Sequence, residues 1–316
     1  ITQQKVVIAY IDGVANYDLV NALFDKISSV EIDGSITIGY IEENIMSHPN
    51  SIFPQFLATE RPDKATGALL EGKIVVLQEG TPVVLIAPVN FISFFQAADD
   101  YSKLWMHGSF LRLVRLIGAL FIAVFLPASY IAITSFHYYA VPLTLLITLA
   151  ESRSRVPFPP IIEVLILELT VELLREASIR LPTYIGTAIS LFAGLIIGQA
   201  AVEAGIVSSL VIIIAGATAI ASYVIPSQDM ALAIRILRFF FILSSALFGI
   251  IGIVACTGVT IAYLIRLDSL GQPYFSPFSP LSKDDLKDTL LRFPLRLMKK
   301  RPKTSRPQDD IRGEND

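Results

Sequence analysis

The sequence predicts an α-helical multispan membrane domain preceded by a small mixed α/β soluble domain. Three observations carry that reading. The 316 residues are 53% hydrophobic and 17% charged, with a mean hydropathy of +0.61, unlike a soluble globular chain. Charges are absent from 116–150, 181–202, 204–228 and 239–265, stretches on the scale of the roughly 20 residues a helix needs to cross hydrocarbon. Ahead of them, the first 107 residues alternate between strand-like and helix-like periods. The expected divisions are a soluble α/β domain at 1–107, a transmembrane domain of about four spans at 108–266, and a basic cytosolic tail at 267–316. Because the chain opens on Ile1 rather than Met, the soluble domain is read as N-terminally incomplete.

In the soluble part, the β-branched run Lys5 to Ile11 predicts a strand ending at the Asp12-Gly13 turn. After Asn16, an N-cap, the residues Leu19, Val20, Leu23, Phe24 and Ile27 form one apolar helical face. Asp63 to Glu71 predicts a short helix closed by Gly72, and Glu79-Gly80 joins two strand-like runs as a hairpin. Phe94, Phe95, Tyr101, Leu104 and Trp105 then gather before the first long apolar stretch, which suits either a membrane interface or an ordinary core.

In the membrane part, the 116–150 stretch is read as one span from about Arg112 to Phe136, then a short apolar piece near Pro142 to Ala150. The other three stretches are one span each, with a broken fifth crossing within 137–182 left open. Between the first and second spans, Pro157-Phe158-Pro159-Pro160 starts a new helix that Pro182 ends. This amphipathic helix at 159–181 carries Glu168, Glu172 and Glu176 with Arg175 and Arg180 on one arc, and Glu163 apart in its apolar first half. Such acids are costly against lipid, so the helix is expected at the membrane interface or along an aqueous vestibule. In the tail, a short amphipathic helix is expected near Lys283 to Met298. A basic cluster from Arg292 to Arg306 follows, reading as an anchor on anionic membrane lipid or as a solvated tail.

Several function classes receive no support. The single Cys256 excludes an intrachain disulfide framework, three scattered His argue against a metal cluster, and overall charge is −3, unlike a nucleic-acid binder. Neither a His-Glu-x-x-His helix nor a phosphate-binding glycine loop is present; no catalytic residue and no cofactor is assigned. Assembly signals are better. Gly194 and Gly198 in the second span form Gly-x-x-x-Gly, which lets another helix approach closely. Leu195, Gln199 and Glu203 line another flank, with Ile196 beside them. A buried acid and amide so placed fit either satisfied structural polarity or an ion path, where Glu203 attracts cations and Leu195 and Ile196 close the path by dewetting.

The run PFPPIIEVLILELTVELLREASIRLP from Pro157 to Pro182, followed by GQAAVEAG at 198–205, resembles the A-subunit family of bacterial spore germinant receptors, the GerA group with its SpoVAF relatives. ATERPDKATGALLEGKIVVL, DDYSKLWMHGSFLRLVR, ASYVIP and KDTLLRFPLRLMKKRP extend the resemblance over nearly the whole chain. It implies a multi-pass protein of the spore inner membrane acting with a transporter-like B-subunit that binds the nutrient and a lipoprotein C-subunit. It also implies a homo-oligomeric ring serving as a nutrient-gated cation channel. Both termini are expected on the cytosolic side, the spore core. A non-conducting scaffold coupling the nutrient-binding partner to a separate channel is the alternative, and a transporter or flippase the third class, although no inverted repeat is found among the spans.

Overall fold

A computed structural model describes residues 4–180, 182, 194 and 196–313. It is mostly helical, with a small antiparallel sheet. The chain divides into two units: unit 1 comprises Ile1–Leu116, Ile225–Ala233 and Thr260–Asp316, and unit 2 comprises Ile117–Val224 and Ile234–Val259.

Unit 1 is built on four strands, β1 (Val6–Ala9), β2 (Leu57–Thr59), β3 (Ile74–Gln78) and β4 (Val84–Ala87), in the order β1-β3-β4-β2. Every pairing is antiparallel. The helix α1 (Tyr17–Ser28) starts where Asn16 accepts from the Asp18 and Leu19 amides, satisfying two of the N-terminal donors. Its Leu19, Val20 and Leu23 pack with Ile38, Ile41 and Ile45 of α2 (Ile38–Ile45) and with Ile74, Val76 and Leu85 of the sheet. Phe24, read as part of that face, is 59% exposed. The helix α3 (Pro62–Leu70) opens on proline, whose missing N–H costs nothing in a first turn.

Residues 267–313 fold into this same unit. Tyr274 is fully buried and donates to the Pro54 carbonyl at 2.7 Å. Ser269 donates to the Gln55 carbonyl and accepts from the Val89 amide. Phe94 and Phe95, expected at a membrane interface or in a core, lie in the core with no exposure; Phe94 packs against Tyr274 and Phe95 against Phe91. The expected amphipathic helix at 283–298 is replaced by the short turns Asp285–Asp288 and Leu295–Leu297, because Arg292 turns inward to donate to the carbonyls of Asp100 and Lys103.

Among the described residues, two helices are long and apolar enough to cross a membrane, judged by length and composition: α4 (Trp105–Ser135) and a last helix, Gln228–Arg266. In unit 2, α4 continues through a π-helical segment, Ile117–Phe125, and is followed by α5 (Leu143–Arg153), α6 (Pro160–Arg180) and α7 (196–203). Next come α8 (Ser209–Tyr223) and α9 (Gln228–Arg266). The α4 and α9 helices cover the first and fourth expected spans. The third stretch yields α8, whose 15 residues are fewer than the roughly 20 of a full crossing. The second stretch lies mostly outside the described residues. Val164 and Leu167 of α6, Val211 and Ile214 of α8, Ile131 of α4 and Ile242 of α9 form one apolar cluster. α9 is broken at Gly249, whose φ of 61° and ψ of −137° are non-helical. Ser244 donates to the Gly252 carbonyl at 2.8 Å, a separation of about 12 Å along a straight helix.

Candidate functional site

The densest polar feature of unit 2 is a ladder of ion pairs along α6. The helix begins at Pro160 directly after Pro157 and Pro159, which fix where it starts and thus which way its acids point. Glu163 is fully buried. One of its oxygens accepts from Arg153, at the end of α5, at 3.0 Å, and the other from the Ser208 amide, at the start of α8, at 3.0 Å.

Glu168 is 1% exposed and accepts from Arg238 of α9 and, at 2.8 Å, from the Thr218 hydroxyl of α8. Arg238 also donates to Ser222, whose hydroxyl passes on to the Thr218 carbonyl. Glu172 accepts from Arg235 at 2.7 Å and from Arg175 at 3.1 Å. Arg175 in turn stacks on Tyr223 with its guanidinium 4.6 Å from the ring centroid. Glu176 pairs with Arg180 at 2.6 Å on an exposed surface.

The order of contacts gives the geometry. Glu168 meets Arg238 and Glu172 meets Arg235, so α6 and the first arm of α9 run antiparallel, and i,i+4 acids face i,i+3 arginines. Each pair is close to neutral as a unit. That is how charge becomes tolerable in an apolar bundle, where an isolated carboxylate would lose several kcal/mol of hydration.

Arg235 and Arg238 carry no role in the sequence reading, yet the structure buries Arg238, which is 1% exposed. The available signal was the matched spacing Glu-x-x-x-Glu against Arg-x-x-Arg. Thr218 and Ser222 carried none, being ordinary small residues of an apolar helix.

The residues of the expected pore flank lie apart from the ladder. Leu195 is outside the described residues. Ile196 is 61% exposed, and Gln199 donates to Glu203 at 2.9 Å with both side chains exposed. Unlike the acids of α6, Glu203 has an amide as its hydrogen-bond partner rather than an arginine. A side chain at Gly194 would meet nothing within 4 Å, while one at Gly198 would touch Ile212 at 3.9 Å. Among the described residues, no group of three or more His, Cys, Asp and Glu is arranged to hold a metal ion. The arrangement can clamp helices, and can release them if ion pairs exchange.

A family model described as Bacillus/Clostridium GerA spore germination protein matches residues 1–304. The chain is 41% identical over 312 residues to spore germination protein GerQA of Bacillus cereus, covering 99% of this chain and 62% of that protein. It is 41% identical over 311 residues to spore germination protein B1 of Bacillus subtilis, covering 98% and 64%. A third relative, the uncharacterized membrane protein YfkQ of Bacillus subtilis, is 42% identical over 303 residues, covering 96% and 59%. The chain thus spans about three-fifths of the length of these relatives. No solved structure matches it.

Proposed function

Because the chain belongs to the Bacillus/Clostridium GerA spore germination protein family, we propose that it acts as the A-subunit of a nutrient germinant receptor in the spore inner membrane. Copies of it assemble into a cation channel that opens on nutrient binding and triggers germination. The partners are a transporter-like B-subunit, which binds the nutrient, and a lipoprotein C-subunit. The membrane domain is multi-pass, with both termini toward the spore core. Exposed bases of the tail, Arg296, Lys299 and Lys300, rest on anionic lipid. Arg292 and Arg301 do not take part there, since they are engaged within unit 1.

The observation that carries the reading is the contrast between two sets of acids. Glu163, Glu168 and Glu172 are held by arginines, whereas Glu203 is exposed at the end of α7 and, among the described residues, has the Gln199 amide as its hydrogen-bond partner. A carboxylate of that kind on an apolar helix calls for water or a neighbouring copy. In a symmetric ring it repeats as a circle of carboxylates that attracts cations, and Leu195 and Ile196 supply an apolar constriction. The ladder on α6 keeps the surrounding helices rigid.

Full-length protein with its partner subunits in planar bilayers tests this, with amino acids and sugars added as nutrients. Nutrient-dependent cation current is expected. Leu195→Ala and Ile196→Ala are expected to leak without nutrient, and Glu203→Gln to reduce cation over anion selectivity. Unchanged gating and selectivity in all three variants moves the pore to another helix. The neutral, tightly paired ladder also suits a non-conducting scaffold that relays a partner's movement. Absence of current from a complex that still binds nutrient favours that second reading.

A further inference from the structure

Unit 1 contains a cavity of about 590 Å³, within the size range of small-molecule sites. Leu57 and Ile86 are register partners on β2 and β4, so their side chains share one face of the sheet, and both line the cavity together with Ala68 and Lys64 of α3. Tyr101 lines another part, and Arg301 and Arg312 come from the far end of the chain. A second cavity of about 260 Å³ shares Lys73, Ser93 and Gln96 with the first.

The charges on this wall are unequal. Lys64, Lys73, Arg301 and Arg312 stand against Asp63 and Glu71. Glu71 is taken by both Lys73 and Arg312, at 3.2 Å each. Asp63 is taken by Arg61 at 2.8 Å, and Arg301 pairs with Asp309 at 2.7 Å. Lys64 is left over. Its ammonium donates to the Gln96 carbonyl at 3.3 Å, and none of the described carboxylates forms an ion pair with it. Burial, with Lys73, Arg115 and Arg61 nearby and only partly offset by Asp100, pushes its pKa down to about 8. A half-buried cation short of a counter-charge, next to an apolar wall, is chemistry that an amphiphilic anion completes.

We propose that this cavity binds a small organic carboxylate, with its charged group on Lys64 and its apolar body against Leu70, Ala97 and Ala98, above the buried Leu57 and Ile86. Inorganic phosphate fits less well, because it has no apolar body and asks for several donors where a single ammonium lacks a described carboxylate partner. The ligand neutralises Lys64 and bridges α3 to Ala97 and Ala98.

The test uses full-length protein in membrane vesicles and reads each lysine by reductive methylation with formaldehyde and cyanoborohydride, followed by peptide mass spectrometry. Exposed Lys5 serves as the internal reference. The Lys64 rate at pH 8 is read relative to Lys5, its lowered pKa of about 8 leaving free amine to react. Hexanoate at about four times its Kd is expected to slow Lys64 about fivefold, in proportion to the free fraction, and to leave Lys5 unchanged. Hexanol, hexyltrimethylammonium and inorganic phosphate are expected to protect little.

Equal protection by hexanol would reduce the site to an apolar hole. Equal protection by phosphate would make it a general anion site, and no protection by hexanoate, benzoate or leucine up to about 10 mM would remove it; any of the three overturns the proposal. As a second readout, hexanoate is expected to raise the thermal midpoint of the wild type and of Lys64→Arg but not of Lys64→Met. Should Lys64→Met fail to fold, the wild-type methylation decides. Neither readout depends on ion conduction, so the proposal can fail while the channel reading stands, and the reverse.

Discussion

Glu168 of α6 and Arg238 of α9 meet as an ion pair in which each side chain is 1% exposed. Thr218 and Ser222 of α8 hydrogen-bond one partner each, so three helices converge on one pair of charges.

Removing one partner strands the other. Glu168→Ala is expected to cost about 3–5 kcal/mol, whereas Glu168→Met combined with Arg238→Met, which removes both charges, should recover most of that loss. Thermal denaturation of detergent-solubilised protein, followed by size-exclusion chromatography, reads the difference. A double variant no more stable than Glu168→Ala would show that the charges are not coupled.

Gly249 sits in a backbone conformation that side chains disfavour, and a Cβ there would lie 2.6 Å from the His137 ring. Gly249→Ala is expected to cost about 1–3 kcal/mol from the backbone alone, and more from the clash. Adding His137→Ala should relieve only the steric part. Full recovery in that double variant, measured by the same assay, would mean the bend itself carries no strain.

Arg112 is fully buried, donating to the Asp288 carboxylate at 2.9 Å and to its carbonyl at 2.7 Å, beside Asp100. Arg115 grips Asp100 with both terminal guanidinium nitrogens, at 3.0 and 3.1 Å. Arg112→Met should therefore free the 285–293 segment while leaving Asp100 paired, at a cost near the lower end of about 3–5 kcal/mol. Hydrogen exchange should accelerate across 285–293 and much less in β3. Gly108→Ala should loosen the same contact, because a Cβ would come within 2.7 Å of the Asp100 carbonyl oxygen. Uniform acceleration throughout unit 1 would instead indicate global unfolding.

Glu42 on α2 has its pKa pushed up to about 7 by burial and by neighbouring Asp229. Its folded-state value is raised above the ordinary carboxylate value, so the folded state holds the proton more tightly. Stability is then present below about pH 4.5 and lost as pH rises toward 7. The full separation corresponds to at most about 3 kcal/mol, less after solvent screening. Glu42→Gln is expected to stabilise unit 1 at pH 7.5 and to flatten the fall between pH 5 and 7, seen in thermal midpoints across that range. An unchanged slope would assign it to other groups.

Both termini are expected on the core side of the membrane. In a Cys256→Ser background, Lys5→Cys and Asp310→Cys should react with an impermeant maleimide from the same face of oriented vesicles. Labelling from opposite faces requires an odd number of crossings.

Much of this protein is written locally in its sequence. Asn16 followed by Leu19, Val20 and Leu23 specifies α1, Glu79-Gly80 specifies the β3–β4 hairpin, and Pro160 to Pro182 delimit α6. The charge-free stretches mark α4 and much of α9. These features depend on period, capping and backbone restriction, which act over a few residues. The helix α2 and the strand β2 were missed because both are short and owe their order to packing on the sheet rather than to their own pattern. Tertiary structure alone decided the rest. It placed β3 between β1 and β4, folded the chain beyond 267 onto unit 1, and gave Glu168 and Glu172 their partners Arg238 and Arg235. A charge pattern on one helix states that a counter-charge is needed; which distant residue supplies it is determined by how the helices pack, since burial makes the pairing obligatory only once water is excluded.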